Sequence, residues 1–173
     1  MIFASVRFEE DPSVEQSVPG TVTMMEWVSA SMEDVFEATT ALENLPRIYN
    51  SMNPVPSVVS VAMVDGGRLR QGGIRRILLS DGNFVDEHIT LLLPPLRLIY
   101  LIKDSIPTPL PHRIAGAVSE MALTPTQGGT RIRWDFRYEA DRTPFPLVNL
   151  RLKRQLLRNQ QDCLREIKRI AEG

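Results

Sequence analysis

Three strand-like segments and two turns lie in the stretch Ile74–Lys103, which reads IRRILLSDGNFVDEHITLLLPPLRLIYLIK. The turns are marked by Asp81-Gly82 and Pro94-Pro95, residue pairs that interrupt strands and favour a change of chain direction. Within the segments, apolar residues recur at every second position, which is the period of a half-buried β-strand. Connections this short join antiparallel neighbours, because parallel strands need a long crossover. The stretch therefore predicts an antiparallel meander.

The same pattern extends in both directions along the chain. Glycine-containing turns at 65–67 and 127–129 separate further segments of strand character. The predicted strands are Thr21–Ala30, Val58–Val64, Ile74–Ser80, Phe84–Leu93, Leu96–Lys103, Arg113–Thr124 and Thr130–Glu139. After the first strand, Ser31 followed by Asp34 is typical of a helix N-cap, and Pro46 interrupts the helical pattern. Two short helices are therefore predicted between the first two strands.

A long helix is predicted at the end of the chain, from about Phe145 to Ala171. Its apolar residues recur at helical spacing, namely Val148, Leu152, Leu156, Leu157, Cys163, Leu164, Ile167 and Ile170. One curved antiparallel sheet of about seven strands, wrapped around this helix, accounts for the order of elements. Such an α+β fold has a concave face that one helix fills incompletely, so a cavity is expected between them.

Length and composition fit a single globular domain. The chain has 173 residues, 43% hydrophobic and 24% charged, with a formal net charge of −1. A near-neutral balance excludes broad electrostatic binding to nucleic acid, whose affinity comes mostly from neutralising phosphates. Residues 1–19 are predicted to be an N-terminal extension, in which Phe3, Val6 and Phe8 form an edge strand or remain disordered. Residues 20–173 are predicted to form the domain.

A cytoplasmic location is predicted. The single cysteine, Cys163, has no partner for an internal disulfide, which favours a reducing compartment. Residues 1–7 lack the basic start and the long apolar run of a signal peptide. No stretch approaches the roughly 18–20 apolar residues of a membrane span, so no stable membrane insertion is expected.

Two charges interrupt the apolar faces of the central hairpin. Glu87 shares its face with Val85, Ile89 and Leu91, and Arg75 lies on the apolar face of the preceding strand. The two charges lie near one another only if the turn between the strands has an odd number of residues. Because burying both without partners costs several kcal/mol, they are expected to pair or to meet a polar group of a ligand. A structural ion pair at a sheet edge, and a register that exposes both charges, are the alternatives.

The concave wall is predicted to carry aromatic side chains. Trp134 and Phe136 share the apolar side of their strand, and Tyr100 shares a side with Leu98. The N–H of a buried tryptophan and the O–H of a buried tyrosine need hydrogen-bond partners. The predicted ligand-pocket residues are Arg75, Ile77, Val85, Glu87, Ile89, Leu98, Tyr100, Trp134, Phe136 and Leu152.

Other chemistry-bearing residues show no matching pattern, and no metal and no cofactor are predicted. His88 falls on the predicted outer face and His112 in a proline-rich loop, and neither has partners at metal-ligand spacing. Cys163 is interpreted as a small buried hydrophobe. The terminal helix is basic, through Arg151, Lys153, Arg154, Arg158, Arg165, Lys168 and Arg169. A solvated face accounts for these cations, and contact with acidic lipid headgroups or a partner protein is the alternative.

Several local patterns together resemble a known family. They are Ser31-Met32-Glu33-Asp34-Val35-Phe36, Leu42-Glu43-Asn44-Leu45-Pro46, Gly72-Gly73-Ile74-Arg75 with Asp81-Gly82 and Glu87, Gly129-Thr130 leading into Trp134, and the long final helix. The sequence is similar to the START-like, Bet v 1-like (SRPBCC) superfamily, especially its polyketide cyclase/dehydrase and lipid-transport branch. The resemblance implies the helix-grip fold, with a cavity that binds lipids, sterols, polyketides or other apolar molecules.

The leading functional hypothesis is a non-catalytic binder or carrier of a lipid, polyketide-like or isoprenoid molecule, oriented by Arg75 and Glu87. The first alternative is an enzyme of the cyclase, aromatase or dehydratase kind, with Glu87 as acid/base and Tyr100 as polarising group. A further alternative is a protein-interaction module that uses the basic helix, and the extension at residues 1–19 leaves a homodimer open.

Overall fold

The computed structural model describes residues 17–50, 56–103, 114–141 and 146–173. The residues Phe3, Val6, Phe8 and His112 lie outside these ranges. The elements in chain order are β1 (Ser17–Val28), α1 (Met32–Thr40), a 3₁₀ turn (Leu42–Asn44), α2 (Leu45–Ile48), β2 (Val58–Met63), β3 (Ile74–Leu79), β4 (Phe84–Leu93), β5 (Arg97–Ile102), β6 (Ile114–Thr126), β7 (Gly129–Asp141) and α3 (Pro146–Ala171). This confirms the α+β prediction of seven strands, two short helices after the first, and one long C-terminal helix.

The seven strands form one antiparallel sheet in the order β1-β7-β6-β5-β4-β3-β2. Every strand from β2 to β7 pairs with its neighbour in sequence, as short connections require. β1 pairs with β7, so β1 and β2 are the two edges. One hydrophobic core joins the inner face of the sheet to α1, α2 and the buried side of α3. The core therefore lies between sheet and terminal helix, where the cavity was predicted.

α1 begins as the sequence predicts. The Ser31 side chain accepts a hydrogen bond of 3.1 Å from the backbone N–H of Asp34. This bond satisfies one of the N–H groups that the first turn of a helix leaves without an internal partner. α1 and α2 then cross to the concave side of the sheet and supply Val35, Leu45 and Ile48 to the core.

Strand β1 begins at Ser17, earlier than the predicted start at Thr21. Proline followed by glycine, as at Pro19-Gly20, is typical of a break before a strand, but β1 is an edge strand, where a proline is tolerated. Gly20 lies opposite Tyr138 in the register, and a Cβ at position 20 would fall 2.3 Å from the Tyr138 ring. The glycine therefore makes room for an aromatic ring within the strand rather than ending it.

The C-terminal half of β4 departs from the predicted alternation of inner and outer side chains. A bulge between Ile89 and Leu91 shifts the register, so that Leu92 lies opposite Leu98 and packs against the core. Leu91 lies opposite Ile99 instead. The expectation that Leu91 shares the inner face with Ile89 is wrong, because one extra residue in a strand reverses the faces beyond it.

Among the described helices, none combines the length and the apolar character that a bilayer crossing requires.

Candidate functional site

The hairpin of β3 and β4 brings the two predicted charges together. The backbone N–H of Leu79 donates to the carbonyl of Asn83 at 2.9 Å, which closes a three-residue turn at 80–82. Gly82 has φ of 84°, a left-handed conformation that glycine adopts without strain and that this turn length commonly uses. The turn has odd length, so Arg75 lies directly opposite Glu87 in the register.

Arg75 and Glu87 form a buried ion pair. Nε and Nη2 of Arg75 both lie 2.6 Å from the same carboxylate oxygen, Oε2 of Glu87. The two residues are only 1% and 6% exposed. The Arg75 guanidinium also lies 5.3 Å from the centroid of the Tyr100 ring, within the range of a cation–π contact. Within the described ranges, Nη1 of Arg75 has no hydrogen-bond partner.

Burial and pairing act in opposite directions on these groups. Burial raises the pKa of Glu87 above its usual value, while the charge and hydrogen bond of Arg75 oppose the rise. For Arg75, burial lowers the pKa, but the negative charge and hydrogen bond of Glu87, together with the contributions of Tyr100 and Tyr49, outweigh it and the net shift is upward. Burial also raises the pKa of Tyr49 and of Tyr100 well above the ordinary tyrosine value, so both phenols are neutral at physiological pH. The site therefore holds one cation balanced by one carboxylate.

A cavity of about 100 Å³ lies between the sheet and α3. Six of the predicted pocket residues line it: Ile77, Val85, Glu87, Tyr100, Trp134 and Phe136. Arg75, Ile89, Leu98 and Leu152 are buried but do not line it. Ile89, Leu98 and Leu152 belong to the hydrophobic core, and Arg75 meets the site through Glu87.

Eight further residues line the cavity without having been predicted as pocket residues. They are Tyr49, Val58, Leu79, Ile102, Leu156, Asn159, Gln160 and Cys163. Leu79, Ile102 and Leu156 lie on predicted apolar faces, so alternation and helical spacing could have added them. Tyr49, at the end of α2, packs edge-on against Trp134 with ring centroids 6.2 Å apart.

Polar groups in the wall differ in how well they are paired. Trp134 Nε1 donates to Ser119 Oγ at 2.8 Å, which supplies the partner expected for this buried indole N–H. Gln155 Nε2 donates to Asn159 Oδ1 at 3.1 Å. Gln160 is only 5% exposed, and its Oε1 and Nε2 have no hydrogen-bond partner among the described residues. Gln160 falls between Leu156 and Cys163 on the inner side of α3, so helical spacing could have revealed it as a polar residue facing the cavity.

The outer face of α3 carries an uneven charge distribution. Arg165 pairs with Asp162, and Arg169 with Glu166, in the C-terminal half of the helix. The preceding part of the helix, from 146 to 161, contains no acidic residue, although it carries the exposed cations Arg151, Lys153, Arg154 and Arg158. Whether this face binds an acidic partner stays a prediction.

A second concavity lies on the surface beside α1. Its volume is about 540 Å³, larger than that of the inner cavity. Its rim carries Glu33, Glu37, Glu43 and Arg68, and none of the described residues that line it is fully buried. The inner cavity is smaller but buried, and it contains unpaired polar atoms, so it is the better candidate for a specific ligand. Across the described part of the chain, no three His, Cys, Asp or Glu side chains converge as metal ligands would.

The fold and the cavity together define a class of protein. A curved antiparallel sheet closed by a long C-terminal helix is the helix-grip fold, and the space between them is where such a fold offers a ligand site. The chain belongs to the polyketide cyclase / dehydrase and lipid transport family, whose model matches residues 19–172. The resemblance drawn from the local sequence patterns is thereby confirmed.

Solved structures share this fold at low sequence identity. An uncharacterized protein from Rhizobium leguminosarum is 18% identical, with a TM-score of 0.65 over 90% of this chain and 96% of its own. Ara h 8.0201 is 15% identical, with a TM-score of 0.66 over 89% and 98%. DynU16, from the dynemicin biosynthetic locus, is 18% identical, with a TM-score of 0.61 over 88% of this chain and 47% of its own. A comparison of the sequence with curated proteins gave no match.

Proposed function

We propose that this protein binds a hydrophobic small molecule in the cavity between the sheet and α3, and acts as a cytoplasmic binder or carrier. The observation that carries the proposal is a buried, mostly apolar cavity whose wall contains Glu87, the carboxylate of a buried ion pair with Arg75. Apolar walls supply affinity, and a few fixed polar groups orient the ligand. Glu87, held by Arg75, is such a group. The family to which the chain belongs includes lipid transport in its description.

The size of the cavity narrows the class of ligand. Drug-sized ligands occupy pockets of about 300–1,000 Å³, whereas an engineered apolar cavity of about 150 Å³ binds benzene. A cavity of about 100 Å³ is smaller than that engineered cavity and therefore suits at most a single ring. A long acyl chain would have to displace side chains of the wall, and such close-packed walls resist displacement.

Native mass spectrometry of the freshly purified protein, followed by organic extraction, tests constitutive carriage. A co-purifying apolar molecule of defined mass supports the proposal and names the ligand class. The extracted molecule is then titrated back into the wild-type protein, into Glu87→Gln and into Asp86→Asn, which removes the same charge from the outer face. We expect weaker binding only for Glu87→Gln. Equal affinity in all three proteins would show that Glu87 does not contact the ligand.

A second candidate function is catalysis of the cyclase, aromatase or dehydratase kind. It is favoured by one observation, a carboxyl group with a raised pKa in a cavity wall, because acid/base catalysts are tuned in this way. Glu87 would exchange the proton and Tyr100 would polarise a carbonyl group. Turnover of a poly-β-keto substrate short enough to close into a single ring, abolished in Glu87→Gln with an unchanged circular dichroism spectrum, would support the enzyme. Stoichiometric binding without turnover would support the carrier.

A further inference from the structure

The side-chain amide of Gln160 is the least satisfied polar group in the cavity wall. Its oxygen and its nitrogen both lack a partner among the described residues, although the residue is only 5% exposed. Buried amides in native proteins are nearly always hydrogen-bonded, because leaving donor or acceptor unpaired after water is removed is unfavourable. An amide in the wall of a ligand cavity, with neither its oxygen nor its nitrogen hydrogen-bonded, is explained if the ligand supplies the missing donor and acceptor.

The charges of the wall indicate what kind of ligand fits. Glu87 is the one acidic or basic side chain that lines the described part of the cavity, and Arg75 already balances its charge. Burial raises the pKa of the Cys163 thiol to about 12, and the two tyrosines stay neutral as well. An anionic ligand would meet a carboxylate and no free cation in the wall. A cationic ligand would lose its hydration in apolar surroundings and would compete with Arg75. Both arguments favour an uncharged ligand.

The geometry of a carboxamide adds a second restriction. Its carbonyl oxygen accepts and its amide nitrogen donates, and the two atoms are attached to the same carbon. A ligand group that pairs with both atoms of the Gln160 amide has a hydrogen-bond donor group next to an acceptor group, as in a lactam, a carboxamide or a hydroxy ketone. The cavity volume of about 100 Å³ limits the carrier of this group to about one ring.

We infer that the ligand of this cavity is an uncharged, single-ring molecule with a hydrogen-bond donor next to an acceptor, and that Gln160 recognises this pair. The inference rests on the proposed binding function and adds the chemical class of the ligand. Glu87 lies in the wall and its charge is balanced by Arg75 behind it, and the apolar side chains hold the ring.

The test uses three probes of similar size and different polarity. 2-Pyridone is a lactam, benzene is its apolar counterpart and benzoate is an anion. Each is titrated into isotope-labelled wild-type protein, into Gln160→Met and into Gln161→Met, with amide chemical shifts giving the dissociation constants. Gln161 is an exposed neighbour on the same helix and serves as the matched control. We expect Gln160→Met to weaken the binding of 2-pyridone about tenfold or more, which is the usual effect of losing hydrogen bonds in a buried site. The affinity for benzene is expected to stay unchanged.

The outcomes separate this inference from the function on which it rests. If benzene binds but Gln160→Met leaves the affinity for 2-pyridone unchanged, the cavity binds ligands and the inferred class is wrong. If benzoate binds more tightly than both neutral probes, the argument from charge is wrong. If none of the probes binds, both the inference and the proposed function are overturned. Thermal denaturation adds an independent readout: Gln160→Met is expected to raise the melting temperature, and a lower one would show that the amide is already paired.

Discussion

Two arginine–carboxylate pairs occupy adjacent positions of the same hairpin and differ mainly in the face of the sheet on which they lie. Arg75–Glu87 is inside, with side chains 2% and 8% exposed, and Arg76–Asp86 is outside, with side chains 46% and 15% exposed. The outer pair is bidentate, since Nε and Nη2 of Arg76 reach different oxygens of Asp86 at 2.8 and 2.7 Å. In the inner pair both nitrogens share one oxygen of Glu87.

The difference shows that local environment, rather than the chemistry of the pair, decides what an ion pair contributes. The outer pair has nearly ideal geometry, and Arg76 also packs over the Phe84 ring, 4.2 Å from its centroid. Water and salt nevertheless screen it, and exposed pairs contribute about 0–1 kcal/mol. The inner pair interacts more strongly but has lost the hydration of both ions, which costs several kcal/mol per ion. Its value to the protein is therefore a fixed polar position in an apolar wall.

The largest expected effect comes from breaking each pair on its arginine side. Arg75→Met leaves Glu87 buried without a partner, so the free energy of unfolding is expected to fall by about 3–5 kcal/mol. Arg76→Met removes a screened contact, and a fall of at most about 1 kcal/mol is expected. Urea denaturation followed by circular dichroism measures both values. Equal losses in the two variants would contradict the distinction between the inner and outer pairs.

Replacing the whole inner pair sharpens the comparison. In Arg75→Met/Glu87→Leu neither charge of the inner pair remains, so most of the loss seen in the single variant is expected to be recovered. Such replacements leave stability unchanged or raise it by about 1–4 kcal/mol in other proteins. The same denaturation experiment measures the recovery. A double variant as unstable as Arg75→Met would mean that the pair itself, rather than the unpaired charge, determines stability.

The pH dependence of Arg75→Met is expected to be specific to the inner site. Burial raises the pKa of Glu87, and removing Arg75 removes the charge that opposes the rise. A carboxyl group with a raised pKa binds its proton more tightly in the folded protein, so its stabilising contribution is complete below the unfolded pKa of about 4.3 and is lost as pH rises. The free energy of unfolding of Arg75→Met should therefore be closer to that of wild type at pH 5 than at pH 8. A constant difference between them would show that Glu87 does not titrate in this range.

The outer pair is expected to give the smallest effect and the opposite pH dependence. The hydrogen bond from Arg76 lowers the pKa of Asp86, so its contribution is present above the unfolded pKa of about 3.9 and is lost as pH falls through the folded pKa. The difference of at most about 1 kcal/mol between wild type and Arg76→Met should disappear toward pH 2. It should also shrink in 1 M salt, where the Debye length is about 3 Å, while the effect of Arg75→Met persists. An outer effect that resists both acid and salt would contradict this account.

Much of the hairpin was predictable from alternation alone. The two-residue period assigned Glu87 and Arg75 to inner faces, and burial of both residues agrees with it. The pairing of these charges was not predictable, because turns of two or three residues both fit around Asp81-Gly82 and give different registers. The alternation does show that the two charges can pair only across a turn with an odd number of residues, and the three-residue turn at 80–82 has this length.

The remaining differences have local physical causes. The bulge beyond Ile89 could not be predicted, because it is followed by three leucines and a leucine can lie on either face of the strand. The sequence does not reveal that β1 starts at Ser17, because a glycine that breaks a strand and a glycine that accommodates a ring, as Gly20 does for Tyr138, look the same in a sequence. Gln160 is absent from the predicted pocket because the stripe predicted for α3 contains apolar residues only. Its position between Leu156 and Cys163 nevertheless has the same helical spacing as that stripe.

The turn at 80–82 has a consequence for which changes of length the hairpin accepts. Exposed loops ordinarily tolerate insertions and deletions. Here a slip to a two-residue turn would set Arg76 against Glu87, and because a shift of one residue exchanges the faces of a strand, the apolar sides of β3 and β4 would no longer coincide. The number of residues in this loop is thus under stronger constraint than their identity. Selection is expected to let Ser80 and Asp81 vary among descendants of this chain, while insertions or deletions of a single residue are removed.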